Sequence, residues 1–546
     1  MKNKILAVAA LCTAAAGMLT GCSDFLSEYS QDMIVAKKVE HFNEVLLGEV
    51  YLPSQIREWG VSGTAVAGFL NILDDDVNTG RGKGIVGSNQ MSQAWGQTVA
   101  PTFGYYAWQL EIGQNFNGTY TAADDATWND LYHRINIINV ILDEIVDLPH
   151  KTDEEEALYW RVQGEAHFER AWFYFLLSNL YGKPYAPNAA DTLLSVPLKL
   201  TPYVEHDKDK PTQFQRASAR AVYAQIVDDL KKSVSYLTRS PQNEDYMGYR
   251  ASKEAAQLLL SRVYLYMQDW PNAAALADSV IASHNFRLSG LSSLAVGSYF
   301  LSDENPEIIH SQGSNYLATR SVFDGGPGDY CVSRELYDLY DAENDKRFAV
   351  FFKVNSVTDS IGLSSKYERG SIRSHVSDVF TLRMSEAYLN KAEACAMIPE
   401  RVNEANEALA DLRRNRITGY EHTVLSGREL VDEVRLERRK ELCFEGHRWF
   451  DLRRYSVCET YPYKRRIVHA LNVCGDNIDY LYTRLYVLEE DDFAYVFRIP
   501  KSTIDFDDVP MVDNYREARE YIEVEEPENP DEGEEPGEGE EPDLEE

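Results

Sequence analysis

Residues 434–454, VRLERRKELCFEGHRWFDLRR, set seven basic side chains (Arg435, Arg438, Arg439, Lys440, Arg448, Arg453, Arg454) against four acids (Glu437, Glu441, Glu445, Asp451). The chain as a whole carries a formal net charge of −34. A basic island in such a chain suits phosphate binding, acid–base catalysis or an internal ion-pair network. A second concentration, DDDVNTG from Asp74 to Gly80, alternates Asp74, Asp76 and Asn78 as a calcium loop begins. Glycine falls seventh instead of sixth and position twelve is Ile85 instead of Glu, so no metal ligands are assigned. The other chemistry-bearing residues gather in two regions, 60–125 and 284–375, where no helical period is sustained. The first holds Asp74, Asp76, Arg81, Trp95, Tyr105, Tyr106 and Trp108; the second holds Tyr299, Tyr316, Arg320, Phe323 and Tyr330.

Enzyme signatures are sparse. No His is followed by Glu, there is no GxSxG, and GRGK at 80–83 lacks the upstream Gly and the Ser/Thr of a phosphate loop. With 88 Asp and Glu, any single carboxylate pair is uninformative for glycoside hydrolysis. No catalytic residue and no cofactor is expected. The excess of 88 acids over 54 Lys and Arg argues against nucleic acid, which needs a basic surface. Beyond Cys12 and Cys22, five widely spaced cysteines without CxxC read as buried thiols, with a Cys458–Cys474 pair left open.

The elements that must position these groups are helical. Thr152 with Glu155 forms a capping box, and the run through AWFYFLLSNL to Gly182 predicts a helix roughly 40 Å long. Its second half is apolar on nearly all sides and should be buried. Residues 251–283 read as a helical hairpin turning at Asp269-Trp270-Pro271, with Ala273, Ala274 and Ala277 permitting close contact. The hairpin resembles a tetratricopeptide unit, and 379–397 with 403–416 form another such pair at irregular spacing. On one continuous helix, Arg438, Glu441, Glu445 and Arg448 would share a face; a break at Gly446 would fold Arg448 back instead. With Val434, Leu442, Phe444, Trp449 and Phe450 supplying core surface, the island reads as architecture.

The ends lie outside this domain, taken as 33–522. Lys2, Lys4, the apolar stretch 5–16 and MLTGC resemble a bacterial lipoprotein signal (1–21), which leaves Cys22 lipidated ahead of a short tether, 22–32. Residues 523–546 carry 14 acids and no base, with Pro and Gly but almost no apolar residue, and are expected to be disordered.

Taken in order, CSDFL, WNDLYHRINIINVILDEI, GEAHFERAWFYFLLSNLYGKPY, ASKEAAQLLLSRVYLYMQDWPNAA, NPEII, TLRMSEAYLNKAEA, the basic island and the IP of FRIPKSTI resemble the SusD/RagB lipoproteins of Bacteroidota. Near the C-terminus DDVPMVDNYRE keeps little of the family's pattern beyond Asn514, and the acidic tail is extra. The resemblance implies an all-α, tetratricopeptide-like protein anchored by lipid to the outer membrane and facing outward. It implies capture of a nutrient, usually a glycan or oligosaccharide, for a SusC-type TonB-dependent transporter that the protein covers as a lid. Family members place ligand-stacking aromatics and polar groups in the two loop regions; a sugar needs flat apolar surface for its C–H faces and polar groups for its hydroxyls. The expected ligand contacts are therefore Asp74, Asp76, Arg81, Trp95, Tyr106, Trp108, Tyr316, Arg320 and Tyr330, with Trp95 foremost. Rival readings are a surface-anchored glycoside hydrolase, a peptide-capturing relative and a structural or adhesion lipoprotein.

Overall fold

The computed structural model describes residues 37–524, apart from 54–65, 80–84, 87–98, 115–124, 204–213, 241–247, 295–296, 320–322, 324–329, 357–358, 369–375, 475–479 and 507–509. Its main helices are α1 (Val39–Val45), α2 (Val99–Tyr106), α3 (Ala126–Glu144), α4 (Asp153–Tyr181), α5 (Ala219–Arg239), α6 (Lys253–Met267), α7 (Trp270–Ile281), α8 (Met384–Ala396), α9 (Val402–Arg414), α10 (Gly427–Glu441) and α11 (Arg448–Ser456). The strands are short: β1 (Val77–Thr79), β2 (Ile85–Val86), β3 (Ile308–Ser311), β4 (Tyr330–Val332), β5 (Phe352–Val354), β6 (Ile361–Leu363), β7 (Thr381–Arg383), β8 (Ile467–Cys474), β9 (Tyr480–Leu488) and β10 (Ile522–Val524).

Helix α4 begins as its sequence dictates. Thr152 accepts from the Glu155 amide while the Glu155 carboxylate accepts from the Thr152 amide. Four acids in the first turn face the positive end of the helix dipole. From Val162 to Tyr181 every residue is buried, as the all-round apolar pattern requires. The helix stops at Gly182 in extended conformation, so glycine is not needed there for a left-handed turn. A Cβ would lie 2.7 Å from the Ser178 carbonyl oxygen; close approach is what selects glycine.

Successive helices pack in sequence, α4 on α5, α5 on α6, α6 on α7, α7 on α8, and α8 on both α9 and α10. Ser252 and Asp269 cap α6 and α7 through their side chains. Ala273, Ala274 and Ala277 are fully buried at the contact. These are the expected helical pairs, and helix dominates the fold.

Strands complete it in one place that the sequence pattern had not indicated. A four-stranded sheet runs β10-β9-β8-β2, with β8 and β9 antiparallel and β2 parallel to β8. The sheet takes in Glu523 and Val524, the first two residues of the acidic segment. Asn514 holds the nearby chain by donating to the Tyr181 and Phe497 carbonyls, both at 2.7 Å. Cys331, Cys395, Cys443 and Cys458 are buried free thiols, so Cys458 is not disulfide-bonded.

The basic island is interior. Helix α10 ends at Glu441, and Phe444 (φ 58°) and Gly446 (φ 73°) turn the chain into α11. The break sends Arg448 away from the face shared by Arg438 and Glu441. Glu441 accepts from Arg347, Arg383 and Arg416, all three guanidinium groups being at most 1% exposed. Glu445 takes Arg383 and Lys366, at 2.7 and 2.8 Å. Burial alone would raise the Glu437 carboxyl, but Arg347 and Arg413 outweigh it and hold it down to about 2. A parallel set joins Arg438 to Asp451, Arg454 to Glu393 and Arg262 to Glu386. Buried charges of this kind persist only when paired, and each of these cations has its carboxylate, while Arg435 and Arg453 donate instead to the Tyr461 and Gly182 carbonyls. The island is a structural network.

Candidate ligand-binding site

The two loop regions come together on one rung. Strand β1 pairs antiparallel with β4, setting Val77 opposite Val332, Asn78 opposite Cys331 and Thr79 opposite Tyr330. Helix α2 closes over this ribbon. Tyr106 donates to Asn78 Oδ1 or the Ala470 carbonyl, at 3.0 and 2.8 Å, and the Tyr330 and Thr102 hydroxyls meet at 2.6 Å. The Tyr106 and Tyr330 rings lie 5.1 Å apart.

Behind them, His469 of β8 is stacked between Tyr106 (4.3 Å, 12°) and Trp108 (4.2 Å, 24°). Its ring nitrogens lie 2.7 and 2.8 Å from the Tyr106 and Asp74 carbonyl oxygens. Burial lowers this imidazole to about 4, against the pull of the two carbonyls and Asp75. Trp108 donates its indole N–H to the Leu73 carbonyl at 2.9 Å and sits at φ 47°, a left-handed conformation rare for a bulky residue. Such strain costs on the order of 1–3 kcal/mol and persists where the surroundings over-determine the backbone.

The aspartate triplet is tied to the basic island. Asp75 pairs with Arg448 (2.8 Å), Arg465 (2.7 Å) and Arg439 (3.1 Å), and Asp76 with Arg439 (2.7 Å). Burial would raise the Asp75 carboxyl, but Arg448 and Arg439 drive it far below the usual carboxylate range. Asp74, buried beside Asp76 and Asp75, is pushed well above that range. The three carboxylates are close enough to share an ion, yet three guanidinium groups already pair with Asp75 and Asp76, and burial beside them drives Asp74 towards its neutral form. The triplet is an anchor for loop 66–79.

In the second region, Asp378 accepts the Tyr316 and Leu317 amides at 3.0 and 3.2 Å and fixes the turn Tyr316–Thr319. Burial raises its carboxyl to about 6 despite those bonds.

The sequence-based candidates therefore divide. Asp74, Asp76, Tyr106, Trp108, Tyr316 and Tyr330 are buried, each at most 4% exposed, and they face one another or the protein interior. Their role is to hold the base of the loops, for which burial is the physical reason: no ligand reaches a surface that neighbouring side chains cover. Tyr105 and Phe323 are buried with them, and Tyr299 is half-buried. Cys22, Arg81, Trp95 and Arg320 lie outside the described residues. Sequence reading missed Thr102 and His469, and named Asn78 only in the calcium-loop comparison; these three join the two regions. The signal was present in IVHAL, where buried Ile467, His469 and Leu471 alternate with more exposed Val468 and Ala470.

With this geometry in view, two segments match descriptions of a single kind of protein. Residues 74–265 match "Starch-binding associating with outer membrane", a SusD-like description, and residues 362–515 match the SusD family. The chain belongs to the SusD/RagB family. Among curated SusD-like relatives, protein P38 of Formosa agariphila is 24% identical over 387 residues, covering 60% of this chain and 71% of P38. Solved SusD structures share the fold. A SusD superfamily protein of Bacteroides thetaiotaomicron has a TM-score of 0.63 at 22% identity, covering 88% of this chain and all of that one. A putative sugar-binding protein of Bacteroides vulgatus has a TM-score of 0.64 at 22% identity, covering 88% and 99%. A laminarin-binding SusD-like protein has a TM-score of 0.58 at 20% identity, again covering 88% and 99%. Among the described residues no helix is long and apolar enough to cross a membrane.

Proposed function

We propose that this SusD/RagB member is a non-catalytic, lipid-anchored glycan-binding protein of the outer membrane that hands oligosaccharide to a SusC-type TonB-dependent transporter and closes over it. The observation that carries the reading is the Thr79–Tyr330 rung. Because these residues are partners, the two loop regions that hold the candidate contacts are joined there. The guanidinium of Arg81 and the indole of Trp95 have the chemistry a sugar requires, a hydrogen-bonding group and a flat apolar face. The sugar-binding and laminarin-binding descriptions of two structural relatives support the same ligand class.

Affinity is set in the micromolar to millimolar range, about −4 to −8 kcal/mol, because cargo must be released. Calorimetry against neutral oligosaccharides tests the reading. Trp95→Ala should lose most of the binding heat while melting at the parent's temperature. Sugar release from polysaccharide by the purified chain would favour the hydrolase instead, and co-purification of a β-barrel partner supports the transporter pairing.

A further inference from the structure

A groove of about 250 Å³ opens on the helical stack, where the end of α7 meets α8 and α9. It belongs to none of the loop regions. Its apolar lining is Ile281, the half-buried ring of Tyr388 and the buried methyl of Ala408. Its polar lining includes Asn403 and Glu407, one helical turn apart on α9.

Some of these groups already have partners within the protein. Lys391 is committed to Asp278 at 2.6 Å, Glu404 to Arg401 at 2.6 Å and Asp411 to Arg414 at 2.6 Å. Among the described residues, the Tyr388 hydroxyl and the Asn403 amide have no hydrogen-bond partner, and Glu407 has no cation nearer than Arg414 at 3.8 Å. The groove thus joins an aromatic and aliphatic wall to a hydroxyl and an amide open to a ligand and to a carboxylate only loosely paired with Arg414 and His422. Those are the complements of a pyranose: C–H face to ring, hydroxyls to donor and acceptor.

We infer that this groove is a second sugar-binding site, taking one unit of a neutral glycan chain, with Tyr388 as platform and Asn403 and Glu407 as hydroxyl partners. The inference rests on the glycan-binding reading above and extends it to a surface that the loops do not form. Of the three acids on this helix face Glu404 and Asp411 are paired with Arg401 and Arg414, which leaves Glu407, the most loosely paired, to disfavour uronate and sulfated sugars. A second weak site raises retention on a polymer through effective concentration without raising affinity for a monomer.

The test is equilibrium dialysis of the intact chain with labelled α-1,4- and β-1,3-linked glucose hexasaccharides, an oligogalacturonate and a hexalysine peptide. Two glucan equivalents per chain are expected, falling to one in Glu407→Arg, to one in Trp95→Ala and to none in the double variant. Asn403→Ala should weaken the groove site about tenfold, and both α9 variants lie at exposed positions that leave the fold intact. Glucan binding by Glu407→Arg that equals the parent's overturns the second site while the loop reading stands. Loss of peptide binding alone in that variant overturns it in favour of a cationic ligand, and oligogalacturonate binding equal to glucan overturns the stated selectivity. Absence of any glucan binding by the intact chain overturns both readings.

Discussion

Arg448 and Asp75, 373 positions apart, meet in a two-point ion pair with Nε–Oδ1 at 2.8 Å and Nη2–Oδ2 at 2.9 Å. The pair fastens the loop that leads into β1 to the turn between α10 and α11. Removing one partner of a buried pair strands the other, at a cost of about 3–5 kcal/mol. Arg439 and Arg465 also reach Asp75 and soften that loss. Arg448→Ala should therefore lower unfolding free energy by about 3 kcal/mol in urea titration, and Arg448→Lys, which keeps charge but not the fork, by about half as much. Parent-like stability of Arg448→Ala would remove the pair from the account of the fold.

Glu169, inside α4, accepts from Gln312 Nε2 at 2.7 Å, while its other carboxyl oxygen is buried without a partner. Burial pushes this carboxyl up to about 8, with Glu165 adding and Gln312 and Arg134 opposing. The folded state holds the proton more tightly than the unfolded chain, whose carboxyl titrates near 4.3. The stability contribution is thus complete below about pH 4 and is lost as pH rises through 8. Glu169→Gln should flatten the stability profile between pH 5 and 8.5, gaining a few kcal/mol over the parent at the upper end. Parallel profiles for the two proteins would contradict the shift.

Cys22 carries the membrane prediction. When the full-length chain is expressed in a host that processes bacterial lipoproteins, it should partition into the detergent phase on Triton X-114 separation. Cys22→Ser should move it to the aqueous phase, since the acyl chains supply about 0.8 kcal/mol for each buried CH₂. Detergent partition of the serine variant would count against lipidation at this position.

The start of α4 offers a local check. Thr152→Ala removes the side-chain acceptor for the Glu155 amide and should cost about 1 kcal/mol, read as a shift in urea midpoint with unchanged slope. Because the capping pair is exposed and distant from the loops, oligosaccharide affinity should stay at the parent's value.

The parts of this fold that were readable are those written locally. Thr152 and Gly182 bound α4 because caps and close approaches act within one helical turn, and the alanines of α7 announce tight packing through their size alone. The break at Gly446 was one of two outcomes its sequence allowed, and only the partners of Arg448 decide between them. The β8–β9 hairpin escaped because its central segment mixes polar, basic and aromatic residues and its alternation is short. The loop candidates show the deeper difficulty. Tyr106, Trp108 and Tyr330 have the composition of a sugar platform, but whether such a ring meets solvent depends on partners such as His469, more than 360 positions from Tyr106. Composition sets what a side chain can do, and long-range pairing sets what reaches it.

The rung between Thr79 and Tyr330 has a consequence in time. A polypeptide synthesised from its N-terminus produces β1 about 250 residues before its partner, which at roughly 5–20 residues per second is a delay on the order of 10–50 s. Arg448 arrives later still. The region that emerges early is therefore among the last to take its shape, and Tyr106 and Trp108 stay uncovered throughout the wait. Nascent chains of this protein need shielding from one another until the second half is out, and truncation anywhere before β8 leaves those rings bare for good.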